Sequence, residues 1–337
     1  METRPLRVGI IGAGAIAEHA HLPGYHQLSG EVEIAAIADI DLARAQLMAH
    51  QFGIQTVVTD YRELLEMPNL DAVSICTPNA LHAEQTVAAL RASKHVLCEK
   101  PMALSVADAD LMHQVSTQTG KILMVGFTHR FMKANQWIKK QLTDGLIGDL
   151  YSIRDRFSHE GPYQSWNAVS DWFYKKELAG GGALLDMGIH AIDLLRYFAG
   201  EVTDVMGRIH TYKQPIASED YAIGILTFES GCTGYFEVGW MSKPGFTGIE
   251  IYGSKGTILY DYQTVKVYTQ EGDQSYWKTP IGIGGGGWNQ EIEYFVRLVQ
   301  GKNVEPILSV RDGQEAVRIA MELYLDHYQR IGKGVSM

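Results

Sequence analysis

Five short apolar runs recur between Leu6 and Phe127: LRVGII, VEIAAIAD, AVSICT, HVLCE and ILMVGF. Each is too short for a core helix, and the segments between them, such as LARAQLMAHQF and AEQTVAALRAS, carry apolar residues at helical spacing. Strands buried on both faces and alternating with helices form a parallel sheet with right-handed crossovers and helices on either side. After Arg130 the pattern changes. A helical FMKANQWIKKQL and a strand-like DLYSIRDRF lead through a polar, aromatic loop into an apolar helix. Short alternating runs joined by glycine-containing turns follow: EVTDVMGRIHTY, DYAIGILTFE, CTGYFEVGW, GFTGIEIYG and GTILYD. The expected organisation is an α/β domain over 1–127 and an α+β domain over 128–337. The second carries an open, mostly antiparallel sheet and helices near 290–299 and 310–329, with a C-terminal helix free to pack back on the first domain. A chain of 337 residues, 46% of them hydrophobic, supplies two cores.

The first strand runs directly into Gly12-Ala-Gly14-Ala-Ile-Ala17, which opens a helix. In that context the spacing is the dinucleotide fingerprint of a Rossmann domain. Gly12 allows the tight turn, Gly14 lets backbone approach a pyrophosphate, and Ala17 allows close helix–strand packing. The helix start, with Ala15 and Ile16, offers N–H groups and a positive dipole end to the phosphates. Asp39 ends the second strand, where a carboxylate accepts both ribose hydroxyls and repels a 2′-phosphate. Ile40 follows it, so no adjacent arginine welcomes NADP; Arg44 lies one helical turn on. NAD is the expected cofactor, with NADP the weaker candidate. A second glycine spacing, Gly282 to Gly287, follows no strand and reads as a loop. Ligands of such sheets gather at the carboxyl ends of strands, where Thr77, Pro78, Asn79 and His82 follow one strand and Glu99, Lys100 and Pro101 another.

Charge narrows the partners. A net charge of −10 without a basic run argues against nucleic acid or an anionic membrane surface and leaves small molecules. No stretch reaches 18 uninterrupted apolar residues, and the N-terminus enters a strand without a signal-like apolar region, so a cytoplasmic protein is expected. Cys76, Cys98 and Cys232 lie too far apart for a thiolate zinc motif or a disulfide framework.

Within the apolar GGGALLDMGIHAID, Asp186, His190 and Asp193 stand at intervals of four and three, spacing that places them on one face of a regular helix. Three readings fit: a cap and a hydrogen-bonded core histidine, a metal site, or an acid–base pair in which a carboxylate orients an imidazole. The metal reading lacks a third ligand cluster, and none is expected.

GAGAIA, Asp39, CTPN, EKP at 99–101 and GGGALLDMGIHAID at 180–193 together resemble the glucose–fructose oxidoreductase/inositol dehydrogenase/MocA family, over nearly the whole chain. The resemblance implies an active site between the dinucleotide domain and the sheet face, with Lys100, Asp186 and His190 as its catalytic group. It implies an NAD-dependent dehydrogenase acting on a secondary hydroxyl of a cyclic polyol, sugar or sugar derivative. His190 would take the hydroxyl proton, Lys100 would stabilise developing alkoxide, and Asp186 would orient the histidine or a neighbouring hydroxyl. Asp193 and Arg130 are further substrate-side candidates, although Asp193 equally suits a helix-supporting role. In the loop after DLYSIRDRF, Tyr163, Trp166 and Trp172 are expected to stack on a sugar ring, and His159, Asn167 and Asp171 to bond its hydroxyls. The alternative is that these aromatics plug an interface. Family members often pair through the open sheet, so a homodimer or homotetramer is expected. Two other functions stay open: a glycoside hydrolase that oxidises its sugar transiently, and a non-enzymatic sensor. Tyr262-x3-Lys266 echoes another dehydrogenase dyad, but in strand-like sequence it reads as coincidence.

Overall fold

A computed structural model of the chain describes residues 4–164, 171–213, 218–241, 247–270, 272–278 and 286–332. Trp166 and Asn167, the side chain of Tyr163 and most of the second glycine spacing lie outside the described residues. Two compact units form: Met1–Thr128 with Gly287–Gln314, and His129–Gly286 with Glu315–Met337. The segment 287–314 thus groups with the first unit. Helix Trp288–Val299 buries Ile292, Phe295 and Val296 there. Ile292 fills the space that a side chain at Gly24 would need, 2.8 Å from an added Cβ.

The first unit holds six parallel strands: β1 (Leu6–Ile11), β2 (Val32–Ala38), β3 (Thr56–Val58), β4 (Ala72–Ile75), β5 (His95–Cys98) and β6 (Leu123–Val125). Their order is β3-β2-β1-β4-β5-β6. β1 pairs with β2 on one side and β4 on the other, so the chain reverses direction across the sheet at the end of β1, where doubly wound sheets bind ligands. Val8, Ile10 and Ile11 are buried, as a central strand covered on both faces requires. The edge strand β3 adds only Thr-Val-Val, too short for a periodic signal.

The second unit holds β7 (Leu150–Ser158), β8 (Val202–His210), β9 (Tyr221–Phe228), β10 (Thr233–Gly239), β11 (Gly248–Gly253), β12 (Gly256–Tyr260), β13 (Thr264–Thr269) and β14 (Gly272–Lys278). They form one sheet, β14-β13-β12-β11-β7-β10-β9-β8, antiparallel except where β7 meets β10. Alternation sets its two faces. Ile153, Phe236, Val238, Ile249, Ile251, Ile258 and Val267 are buried, while Met206, Ile225 and Tyr268 are exposed. Helix Ile189–Ala199, whose Ile192, Leu194 and Leu195 are fully buried, belongs to this core. The stretch Lys176–Ala199 has the length and hydropathy of a membrane span, yet most of it is buried inside this unit.

Candidate active site

At the end of β1, Gly12 adopts φ +97°, and a Cβ there would lie 2.7 Å from the Cys76 carbonyl oxygen. The turn therefore requires glycine. Nothing comes closer than 3.9 Å to a Cβ placed on Gly14, which leaves backbone open for a ligand to approach. The chain then winds a π turn, Ala17–His21, a local form frequent at functional sites. Asp39 reaches back to this loop, accepting from the Ala13 N–H at 2.6 Å and the Asp41 N–H at 2.8 Å. Arg44 donates to the Ala13 carbonyl at 2.9 Å and pairs with Glu18, while Ile40 stands 93% exposed.

The two other strand ends are tied together by a residue expected to meet the cofactor. His82 is fully buried, with ring nitrogens 2.7 Å from the Pro101 carbonyl and 2.9 Å from the Thr77 carbonyl. Burial lowers its pKa, against the pull of those two carbonyls towards protonation. It is a strut between the CTPN and EKP loops, because both ring nitrogens are spent on backbone. Thr77 donates to Gln85 at 2.6 Å, and Asn79 is buried behind Pro78 at the start of a short helical turn.

Glu99, also expected at the cofactor, has internal partners as well. Its Oε1 lies 2.9 Å from the His21 ring, and its Oε2 accepts the Lys100 N–H at 3.1 Å. Burial pushes the carboxyl up, but His21 and Lys100 outweigh it and hold Glu99 below the usual carboxylate range. Glu99 thus fixes the backbone from which the half-buried Lys100 projects. His21 escaped sequence reading; in the helical start AEHAHL it stands beside Glu18 and His19 with nothing to mark it as the buried one.

In the second unit the expected regular helix is two pieces. Leu184–Gly188 is a π turn, continued by the α-helix Ile189–Ala199. Glu219 caps its start, accepting from the Gly182 N–H at 2.9 Å, the Leu184 N–H at 3.1 Å and the Tyr324 hydroxyl at 2.7 Å. A Cβ on Gly182 would lie 1.7 Å from the Glu219 carbonyl oxygen, which explains a glycine run before this helix. Asp186 and His190 are half-buried among fully buried neighbours. Asp186 accepts the Trp240 indole N–H at 3.1 Å. His190 stacks on His129, with centroids 4.6 Å apart and planes 15° from parallel.

Asp193 and Arg130 belong together. The guanidinium donates twice to the carboxylate, at 2.8 and 2.7 Å, with the residues 4% and 1% exposed, and it also lies over the Tyr197 ring. Arg130 was a substrate-side candidate and Asp193 equally a substrate contact or a helix support; the structure joins them in a bidentate pair inside the core. His159 accepts the Gly161 N–H at 2.8 Å, and the exposed Asp171 pairs with Lys175. Trp172 stacks on Phe173, whose ring meets Trp240 edge-on, so an aromatic run ends at the partner of Asp186. Lys266 is exposed while Tyr262 is buried, so these two do not form a dyad. No group of three His, Cys, Asp or Glu side chains is arranged to hold a metal among the described residues.

Comparison with known proteins identifies the family. Residues 6–127 match the oxidoreductase family with an NAD-binding Rossmann fold, and residues 135–259 match the GFO/IDH/MocA C-terminal domain. The chain is similar to D-glucoside 3-dehydrogenase of Escherichia coli, 38% identical over 90% of each chain. Myo-inositol 2-dehydrogenase of Thermotoga maritima is 29% identical over 93% of each. Among solved structures, levoglucosan dehydrogenase in complex with NADH and levoglucosan superposes with a TM-score of 0.86 at 27% identity, over 97% of this chain and 98% of that one.

Proposed function

The chain belongs to the GFO/IDH/MocA oxidoreductase family, and we propose that it oxidises a secondary hydroxyl of a sugar ring or cyclic polyol with NAD as its cofactor. The observation that carries this reading is the pair Asp186 and His190, which a capped π turn keeps half-exposed on an otherwise buried helix. Relatives named for glucosides, levoglucosan and inositol support a ring alcohol as the substrate class.

The residues fit a dinucleotide. The Gly12 turn admits no side chain, Gly14 leaves room for close approach, and Asp39 offers a carboxylate at the end of β2. Bound NAD supplies the acceptor for the two electrons that leave the carbinol carbon. The protein supplies the rest. His190 accepts the hydroxyl proton at one ring nitrogen, while His129 stacked against it limits rotation of the imidazole. Asp186, anchored by Trp240, stabilises the imidazolium that results or holds a vicinal hydroxyl. The Lys100 ammonium stabilises negative charge building on the substrate oxygen, and Glu99 and His21 fix the backbone that carries it. Trp172 and Phe173 offer an apolar surface suited to a sugar face. The sheet face carrying Ile225, Tyr268 and Met206 suits pairing with a second copy, giving a homodimer or homotetramer.

The test is a panel of glucosides, anhydrosugars and inositols incubated with NAD, followed by NADH absorbance and by identification of the keto product. Lack of NADH across the panel, with cofactor binding demonstrated, would remove the dehydrogenase reading.

A further inference from the structure

One residue near the glycine loop has no part in the fingerprint. Glu18 lies on the π turn that follows the loop, with its side chain a quarter exposed. It pairs with Arg44, from the first turn of helix Leu42–Phe52, and the more exposed His19 ring stands 3.9 Å from the same carboxylate oxygen. Arg44 is fixed twice, since its Nε also donates to the Ala13 carbonyl at 2.9 Å. The N–H of that same Ala13 donates to Asp39. Carboxylate and guanidinium therefore hang from opposite ends of one loop residue.

A guanidinium so close to the carboxylate expected to meet the adenosine ribose is the group that a 2′-phosphate would recruit, because Arg binds phosphate with a charge-assisted fork. One edge of that fork is already occupied. Nε is held by backbone, an Nη by Glu18, and the side chain is only 16% exposed. To offer that Nε/Nη edge to a phosphate, Arg44 has to leave a partly buried carboxylate, and the neutralising charge of Glu18 stays beside whatever the remaining edge meets.

We propose that Glu18 is a cofactor-selectivity residue: by occupying Arg44 it withholds this guanidinium from a 2′-phosphate. Discrimination against NADP then rests on two carboxylates, Asp39 by repulsion and Glu18 by sequestration. This inference rests on the reading of the first unit as an NAD site.

The test is equilibrium titration of the full chain with NADH and NADPH by fluorescence, and with 5′-AMP and 2′,5′-ADP by calorimetry, so that no turnover is needed. Glu18→Gln keeps the shape and removes the charge. It is expected to tighten NADPH and 2′,5′-ADP by about tenfold, or about 1.4 kcal/mol, and to move NADH and 5′-AMP by no more than about twofold. Adding Arg44→Leu to Glu18→Gln should erase the gain. Arg44→Leu alone should leave the NADPH-to-NADH ratio of the unmutated protein unchanged, a check that stands even if the Glu18 variant fails to fold. An unchanged ratio in Glu18→Gln with NADH still bound overturns the proposal alone. So does a gain that survives Arg44→Leu, which would mark a general charge effect, or a selective loss of NADPH in Arg44→Leu, which would show the fork already free. Absence of binding by both dinucleotides in the unmutated protein sinks this proposal together with the cofactor reading beneath it.

Discussion

Asp155 offers a test of how the second unit treats charge. It sits on β7 with its side chain on the buried face, between Ile153 and Phe157. Across the sheet its register partners are Phe236 on β10 and Ile249 on β11, both fully buried. Among the described residues Oδ1 has no hydrogen-bond partner, and burial pushes the carboxyl from its ordinary 3.8 up to about 7. The Tyr262 phenol, buried and also without a partner, is raised by burial and further by the charge of Asp155. The folded protein thus keeps a proton on Asp155 at pH values where the unfolded chain has released it. Between about pH 4 and pH 7 the folded state binds more protons, so stability falls as pH rises through that window and levels off above it. The whole displacement corresponds to about 4 kcal/mol, at about 1.36 kcal/mol per pH unit, of which about 2–3 kcal/mol is lost between pH 5 and pH 8.

Asp155→Asn keeps the shape and cannot ionise. Urea denaturation of both proteins from pH 5 to pH 8, followed by a signal from the second unit, should show the variant gaining about 2–3 kcal/mol on the unmutated protein across that range. An equal stability difference at both ends would mean that water or a polar partner reaches the carboxyl, and the argument from burial would be wrong.

Other consequences are open to simpler measurements. His190→Ala should lower kcat/KM by about 10²–10⁴ and remove the acidic limb of the pH–rate profile, with NADH affinity nearly unchanged; retention of both rate and profile would make the histidine structural. Asp39→Ala should narrow the affinity gap between NADH and NADPH, read by fluorescence titration, by removing the repulsion of a 2′-phosphate. Asp193→Ala strands a buried guanidinium and should destabilise the second unit by about 3–5 kcal/mol. Asp186→Asn, half-exposed, should cost far less stability and considerably more rate.

Much of the fold was legible because its signals are local. The runs of β1, β2, β4, β5 and β6 announce themselves by continuous hydrophobicity, and the glycine turn by a steric need confined to a few residues. β3 was not legible, since three residues at a sheet edge carry no period. The site divides in the same way. Lys100, Asp186 and His190 were visible from their motifs, whereas their supports were not. His21 meets Glu99 across 78 residues, Arg130 meets Asp193 across 63 and Trp240 meets Asp186 across 54. A chain pattern records that a residue is ionisable but not whether its partner is a ligand or another side chain. For that reason Arg130, Glu99 and His82 read as ligand contacts, and Asp193 as either a ligand contact or a helix support, while the structure gives each of them an internal partner. At Asp186 a π turn interrupts the regular 3.6-residue period on which the shared helix face was argued, a local departure that spacing alone does not announce.

The central claim is net oxidation of a ring alcohol by NAD with His190 as the proton acceptor. The most direct measurement is the stoichiometry of NADH against keto product for the best glycoside or polyol of the panel, in the unmutated protein and in His190→Ala. The account predicts one NADH per ketone formed, at a rate that collapses in the variant while NAD still binds. Cleavage of a glycoside without net NADH, or an undiminished rate in His190→Ala, would contradict it.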